Sequence, residues 1–381
     1  MRRCLVALVA LALGGCSSLN PLDLLSSGPA GPKPASLPAL SNPQPVRVLW
    51  SARIGGADRF IFSPALAGDS VYAAARDGSV ARLDAASGQT RWRVSVDTRL
   101  SSGVGSDGRT AVVASERGEV IALDAQSGSV RWRARVSSEV LAAPALGQGL
   151  VLVRSVDSRV FAFGADDGKR RWVYQRAATS LVVRSPAGVS VGADTAYAGF
   201  SGGKLVAIAL SNGGVRWEAT VSLPKGATEL ERVSDVVGEP VLQGREVCAA
   251  SYQGRVACFE PQNGRQVWSR EVSSLTGVSV DARYAYVSDE RGAVHALDRS
   301  NGRSVWKQDR LAHRQLSLPW PVGSAVAVGD LEGQVHFLAR DSGAFIARVA
   351  TDGGAVRAAP IAVPGGFLVQ TQYGGLFALS L

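Results

Sequence analysis

The chain has 381 residues, 46% of them hydrophobic and 19% charged, with 43 glycines and a formal charge of +9. This composition excludes a chain too polar to bury a core, and the length allows one large domain or two ordinary ones. An excess of positive charge would admit nucleic acid as a partner, a reading that the N-terminus removes.

Met1-Arg2-Arg3 is a basic start, Cys4 to Leu13 is an apolar run of ten, and "LGGC" ends it at Cys16. Ten apolar residues are too few to span a bilayer, so residues 1–15 read as a cleaved export signal. A Cys at the cleavage point resembles the bacterial lipoprotein signal, which implies acyl chains such as palmitate on Cys16. Firm anchoring needs more than one such chain. Ser17 and Ser18 follow. In signals of that class, the lack of Asp after the Cys implies sorting to the outer membrane, on its periplasmic face. Losing Arg2 and Arg3 leaves 39 Lys and Arg against 32 acids, about +7. On an exported chain this charge points to acidic partners or an anionic membrane surface, not to nucleic acid. Residues 17–45 hold seven of the 17 prolines and no periodic pattern, which predicts a flexible tether over 16–45 with Cys16 at its head.

From residue 46 the chain is periodic. Aligned on a turn glycine, "RDGSVARLD" (Gly78), "ERGEVIALD" (Gly118) and "ERGAVHALD" (Gly292) are copies of one unit, repeated at Ser158, Gly203, Gly254, Gly333 and Gly374. Fourteen residues after the slot stands Trp92, Trp132, Trp172, Trp217, Trp268 or Trp306, with Ala347 in the seventh copy. Each copy holds short alternating stretches such as "VYAAAR" and "VARLD", then a turn, then "TRWRVSV", the pattern of four short strands. One unit cannot bury both of its faces, but eight in a ring can. The eighth copy lacks a Trp strand, and "VRVLWSARI", with Trp50, stands before the first copy and supplies it. The sequence therefore predicts an all-β fold, an eight-bladed β-propeller of four-stranded antiparallel blades over residues 46–381, closed by its N-terminal strand.

Gly88, Gly128, Gly168, Gly264 and Gly302 each end a polar turn before the Trp strand, where a positive φ reverses the chain. The Trp is expected between blades, with its indole N–H on a backbone carbonyl. Asp84, Asp124 and Asp298 read as Asx turn residues, because no other acid stands at metal-ligand spacing. His295, His313 and His336 have no Cys at zinc spacing. Phosphate loops, nucleophile elbows and HExxH are absent from the sequence, so no catalytic residue, cofactor or metal is expected. Cys248 and Cys258 face each other across a predicted hairpin, either as a disulfide or as two buried thiols.

Successive Trp slots are 42, 40, 40, 45, 51, 38 and 41 residues apart. The two long links carry "ATSLVVRSPAG" and "LPKGATELERVSDVVGEP". Both lie between a Trp strand and the first strand of the next blade, so they emerge side by side on one face, where binding is to be sought.

Over residues 46–381 the repeat resembles the Trp-docking repeat of the quinoprotein family. That likeness raises a periplasmic dehydrogenase using pyrroloquinoline quinone and calcium. Such enzymes have longer chains and adjacent cysteines near the cofactor, and no two cysteines are adjacent here. A narrower resemblance rests on the Cys16 signal, the proline-rich segment, the eight copies and the two long links. It is to the BamB family of lipoproteins in the outer-membrane β-barrel assembly machinery, whose "SLxLR" and "ExxRxSDVD" segments the links match. This resemblance implies a non-catalytic scaffold that binds the POTRA domains of BamA. Other subunits of the machinery and unfolded outer-membrane proteins would be further partners. Carried over by position, the partner-binding residues are Leu181, Val183, Arg184 and Asp235, with Val237 where the family often has a second Asp. Read from the residues alone, an apolar pair beside Arg184 and an acid has the composition of a hot spot. The competing reading is that Arg184 and Asp235 pair with each other between the loops. A propeller that binds a cell-envelope polysaccharide is the third functional reading.

Overall fold

In the computed structural model, which describes residues 32–177 and 181–381, each copy of the repeat folds into four antiparallel strands. Residues 1–15 and Cys16 lie outside the described residues. Blade 2 is typical: Gly105–Ser106, Thr110–Ala114, Glu119–Asp124 and Val130–Arg135 pair in chain order. Its second strand, "TAVVA", is buried at every position, while its outer strand, "VRWRAR", is mostly exposed. Small and β-branched residues suit a strand covered on both sides, and alternation suits one covered on a single side.

Eight such blades make the expected propeller. The last is assembled from both ends of the chain: Ile361–Val363, Gly366–Gln370 and Gly375–Ser380 are completed by Arg47–Arg53, whose register runs from Arg47 opposite Ser380 to Arg53 opposite Gly375. A hydrogen-bonded strand closes the ring, so blade 8 is as complete as the rest.

The repeated Gly and Trp turn out to be two halves of one contact. The indole of Trp50 lies over Gly88, that of Trp132 over Gly168, and so on round to Trp306 over Gly343. Each indole N–H donates to a carbonyl of the same turn in the next blade: Trp50 to Ala85 at 3.0 Å, Trp132 to Ala165 at 2.9 Å, Trp306 to Arg340 at 2.8 Å. Gly168 has φ +65°, and a Cβ there would stand 2.6 Å from the indole of Trp132. The turn glycine thus supplies a positive φ and also leaves room for the preceding blade's Trp.

This contact explains Ala347. A Trp in blade 7 would rest on the turn joining the third and outer strands of blade 8, and that turn does not exist, because the outer strand comes from the other end of the chain. The cross-strand pair is reversed to match. Trp132 faces Ala122 and Trp306 faces Ala296, whereas Ala347 faces Phe337. Cys258 likewise fills the small position opposite Trp268, and on its other side it faces Cys248, with which it forms a buried disulfide. Asp84 and Asp124 accept backbone N–H groups two and three residues ahead, as Asx turns do.

The tether expectation needs correcting at its C-terminal end. Ala35–Leu381 forms one compact unit, and residues 35–44 lie against blade 7. Ala35 N–H donates to Ala312 O at 2.9 Å and Gln44 N–H to Ile346 O at 2.8 Å. Pro38 is buried, and Leu37 packs on the cluster that holds Leu311 and Leu316. Composition misleads here because proline removes donors but leaves every carbonyl available, and the N–H groups of Ala35 and Gln44 with the carbonyls of Ala35 and Pro38 suffice to dock the segment.

Candidate partner-binding site

The first long link joins the outer strand Arg170–Gln175 of blade 3 to Val189–Val191 of blade 4; the second joins Val215–Thr220 of blade 4 to Val236–Gln243 of blade 5. Asp235 stands at the end of the second and is 5% exposed. Its Oδ2 accepts the Val183 N–H at 2.6 Å, and its Oδ1 accepts the Gly202 N–H at 3.2 Å. One carboxylate therefore pins the first link to the second and both to the turn of blade 4. Burial pushes this carboxyl above its ordinary value, while the two N–H bonds and the charge of Arg154 pull it back.

Arg154 supports the same link from beneath. Its Nη1 donates to Ala187 O at a long 3.4 Å, and its guanidinium lies 5.3 Å from the centre of the Phe200 ring. Burial brings its pKa down to about 10, against the pull of Asp235. Its Nε is buried without a hydrogen-bond partner.

Arg184 does not meet Asp235, so the proposed clasp between the two links is corrected. The guanidinium grips Glu139 in a bidentate pair, Nη2 to Oε1 at 2.6 Å and Nε to Oε2 at 3.2 Å. Its Cζ also lies 5.3 Å from the Phe60 ring centre, over a ring that Arg76 covers at 4.5 Å. The physical reason is that Asp235 is turned inward to buried backbone donors, so its charge is spent before it reaches the surface.

What remains outside is mixed, with large apolar side chains set among exposed charges such as Arg184, Lys225, Glu231 and Arg232. Leu181 and Val182 are each exposed over nearly half their surface, and Leu223 and Leu230 in the second link over about two thirds. Val183 is half-buried, its N–H committed to Asp235. Glu231 closes the turn beside Leu230 by accepting the N–H groups of Ala227 and Thr228. Under the first link is a cavity of about 190 Å³ lined by Glu139, Arg154, Arg184, Ser201 and Asp235. Val237 is buried and adds neither charge nor surface.

Among the described residues, Glu246, Cys248 and Cys258 bring three potential metal donors within 4.8 Å of one another. The sulfurs are bonded to each other, and Glu246 accepts from Arg299 Nε at 2.8 Å, so this group is committed to structure.

Sequence reasoning missed Arg154 and Glu139. Arg154 had a signal: the slot four residues before the turn position holds Ala74, Ala114, Gly199, Ala250, Ser288 and Gly329 in six other copies. A large cation in a small slot marks a blade that supports something. Glu139 had no such mark.

Comparison with known proteins agrees with this architecture. The family profile described as "Outer membrane protein assembly factor BamB" matches residues 76–308. A protein of that name from Bordetella pertussis is 44% identical over 367 residues, covering 96% of this chain and 93% of its own. The crystal structure of BamB from Moraxella catarrhalis has a TM-score of 0.81 at 27% identity, over 88% of this chain and 100% of that one. A quinohemoprotein alcohol dehydrogenase from Pseudomonas putida reaches a TM-score of 0.68 at 13% identity, over 88% of this chain and 76% of that one, which is a likeness of fold alone. The chain belongs to the BamB family of outer membrane protein assembly factors, and that reading of the repeat displaces the quinoprotein dehydrogenase.

Proposed function

We propose that the chain is a non-catalytic scaffold of the outer-membrane β-barrel assembly machinery. It is anchored at the periplasmic face of the outer membrane through acyl chains on Cys16, and its link face binds the POTRA domains of BamA. Leu181, Val183, Arg184 and Asp235 belong to that binding site in two different roles. Leu181 and Arg184 meet the partner, while Val183 and Asp235 position the link that carries them. The observation that supports this is the pair of hydrogen bonds that Asp235 accepts from the Val183 and Gly202 N–H groups. A link pinned in this way presents its apolar residues in one arrangement, so less conformational freedom is lost when a partner binds.

Calorimetry with isolated BamA POTRA domains tests the proposal. Leu181→Ala and Arg184→Glu should each weaken binding at least tenfold with melting temperature unchanged. Unaltered affinity in both folded variants would overturn the assignment. Dye reduction by the purified protein with added pyrroloquinoline quinone, calcium and an alcohol would overturn the non-catalytic part.

A further inference from the structure

Blade 7 carries a buried charge network that the proposed function does not use. Arg314 is 2% exposed, and Asp330 and His336 are fully buried. Arg314 Nε donates to Asp330 Oδ2 at 2.7 Å, and its Nη2 pairs with Glu332. His336 Nε2 meets the same Asp330 oxygen at 2.9 Å, which leaves Nδ1 to accept from Arg348 Nε at 3.1 Å. Each arginine then has donors left over, and both point at the same stretch of chain: Arg314 Nη1 donates to Ala35 O at 2.8 Å and Arg348 Nη2 to Pro38 O at 3.0 Å. Residues 35–38 thus supply protein acceptors to both arginines at the edge of the buried network. Between the two bonds, Leu37 packs on the Leu311 and Leu316 cluster.

We propose that this side of blade 7 is a peptide-binding surface whose occupant is the chain's own segment 35–44. Docked there, the segment is a strap that fixes where the N-terminal region leaves the propeller. The strap starts at Ala312, in the link between the outer strand of blade 6 and the inner strand of blade 7. It is a link of the same kind as the two that form the candidate binding site, so the exit lies on the rim of that face. Its consequence rests on the anchored reading of Cys16. A free 17–45 segment would let the propeller stand up to about 100 Å from an anchor at Cys16, whereas residues 17–34 alone reach about 60 Å even when fully extended. The strap shortens the leash and makes it leave the propeller from the rim of the link face.

Hydrogen exchange on the full chain tests docking directly. The Ala35 and Gln44 amides should exchange at least tenfold more slowly than in an unstructured peptide. Arg314→Met with Arg348→Met should abolish that protection while leaving the Trp strands of blades 2 to 5 protected. Should that variant fail to fold, Leu37→Asp with Pro38→Gly loosens the strap from its own side and leaves the network whole. Random-coil exchange of these amides in the unaltered chain, or protection that survives the strap variants, overturns the proposal. Absence of acyl chains from Cys16, read by intact mass, would fail the anchored reading and leave the exchange result standing.

Discussion

Asp235→Asn separates a carboxylate that positions the links from one that meets a partner. The substitution keeps the shape and one acceptor oxygen but turns an NH2 group toward either Val183 N–H or Gly202 N–H. The 2.6 Å bond to Val183 is the shorter of the two and carries the first link. Losing a hydrogen bond to a charged group and leaving a buried donor unmet costs about 1.5 to 3 kcal/mol. Burial already pushes this carboxyl above its ordinary value, so removing the charge recovers part of that cost. The expected loss therefore sits at the lower end, about 1.5 to 2 kcal/mol. At 1.4 kcal/mol for each factor of ten, the Val183 amide should exchange roughly ten to thirty times faster.

Exchange mass spectrometry on peptides spanning 181–188, with blade 2 as internal control, measures this change. The urea midpoint should move little, because the links open locally without the ring. Affinity for POTRA domains should fall by no more than the same factor. Unaltered exchange at Val183 together with weakened binding would refute the positioning role and put Asp235 in the interface itself.

The other tests address separate contacts. Arg184→Glu sets two carboxylates side by side at Glu139; adding Glu139→Arg should restore protection of the first link but not POTRA affinity, and recovery of both would make Arg184 purely structural. Trp50→Ala should cost about 3 to 5 kcal/mol in urea unfolding, as much as Trp132→Ala, and a much smaller loss would mean that ring closure is loose. Gly353→Ala, at φ +82° in open space, should lose about 1 to 2 kcal/mol. Gly88→Ala, under the Trp50 indole, should lose about 1 to 3 kcal/mol more, and equal losses would refute the shared contact. Burial lowers the pKa of His336 against the pull of Asp330, with Arg348 and Arg314 adding to the lowering. The unfolded chain then takes up this proton first, so the stability from neutral His336 is present above about pH 6.5 and lost as pH falls through the lower native value. Urea midpoints at pH 7.5 and 5.5 should show that drop, His336→Asn should flatten it, and a rise on acidification would contradict the sign.

The propeller was legible because one contact is written into every blade. Trp packs on Gly in the next blade, so both residues must recur at fixed spacing, and even the exception at Ala347 follows from topology. Ring closure by Trp50 was readable for the same reason. The link face was legible only as a place. Its length marked it, but whether Asp235 pointed out or in depended on the path of Val183 and Gly202, and no spacing records that. The strap was hidden more deeply still, since its polar contacts use the N–H groups of Ala35 and Gln44 and the carbonyls of Ala35 and Pro38, backbone groups that carry no sequence signal. Its only trace lay on the other partner, in two arginines of blade 7.

The two faces of the ring therefore carry different constraints. Each outer strand of blades 1 to 7 runs from a turn that receives the neighbouring Trp to a link that leaves for the next blade, so the contact joining blades sits at one end and the length variation at the other. Extending a link from a spacing near 40 to 45 or 51 residues leaves every Trp on its glycine. The entropy of lengthening a loop grows only logarithmically, by about 0.6 kcal/mol for each doubling. Insertions on the link face are thus nearly free of cost to the fold, whereas the turn face tolerates none without breaking a Trp contact. A binding site could arise on the first face and not on the second, provided something ordered the added residues. Asp235 and Arg154 do this for the first long link, one by tying its Val183 N–H to the end of the second link and the other by filling a slot kept small in most of the other blades.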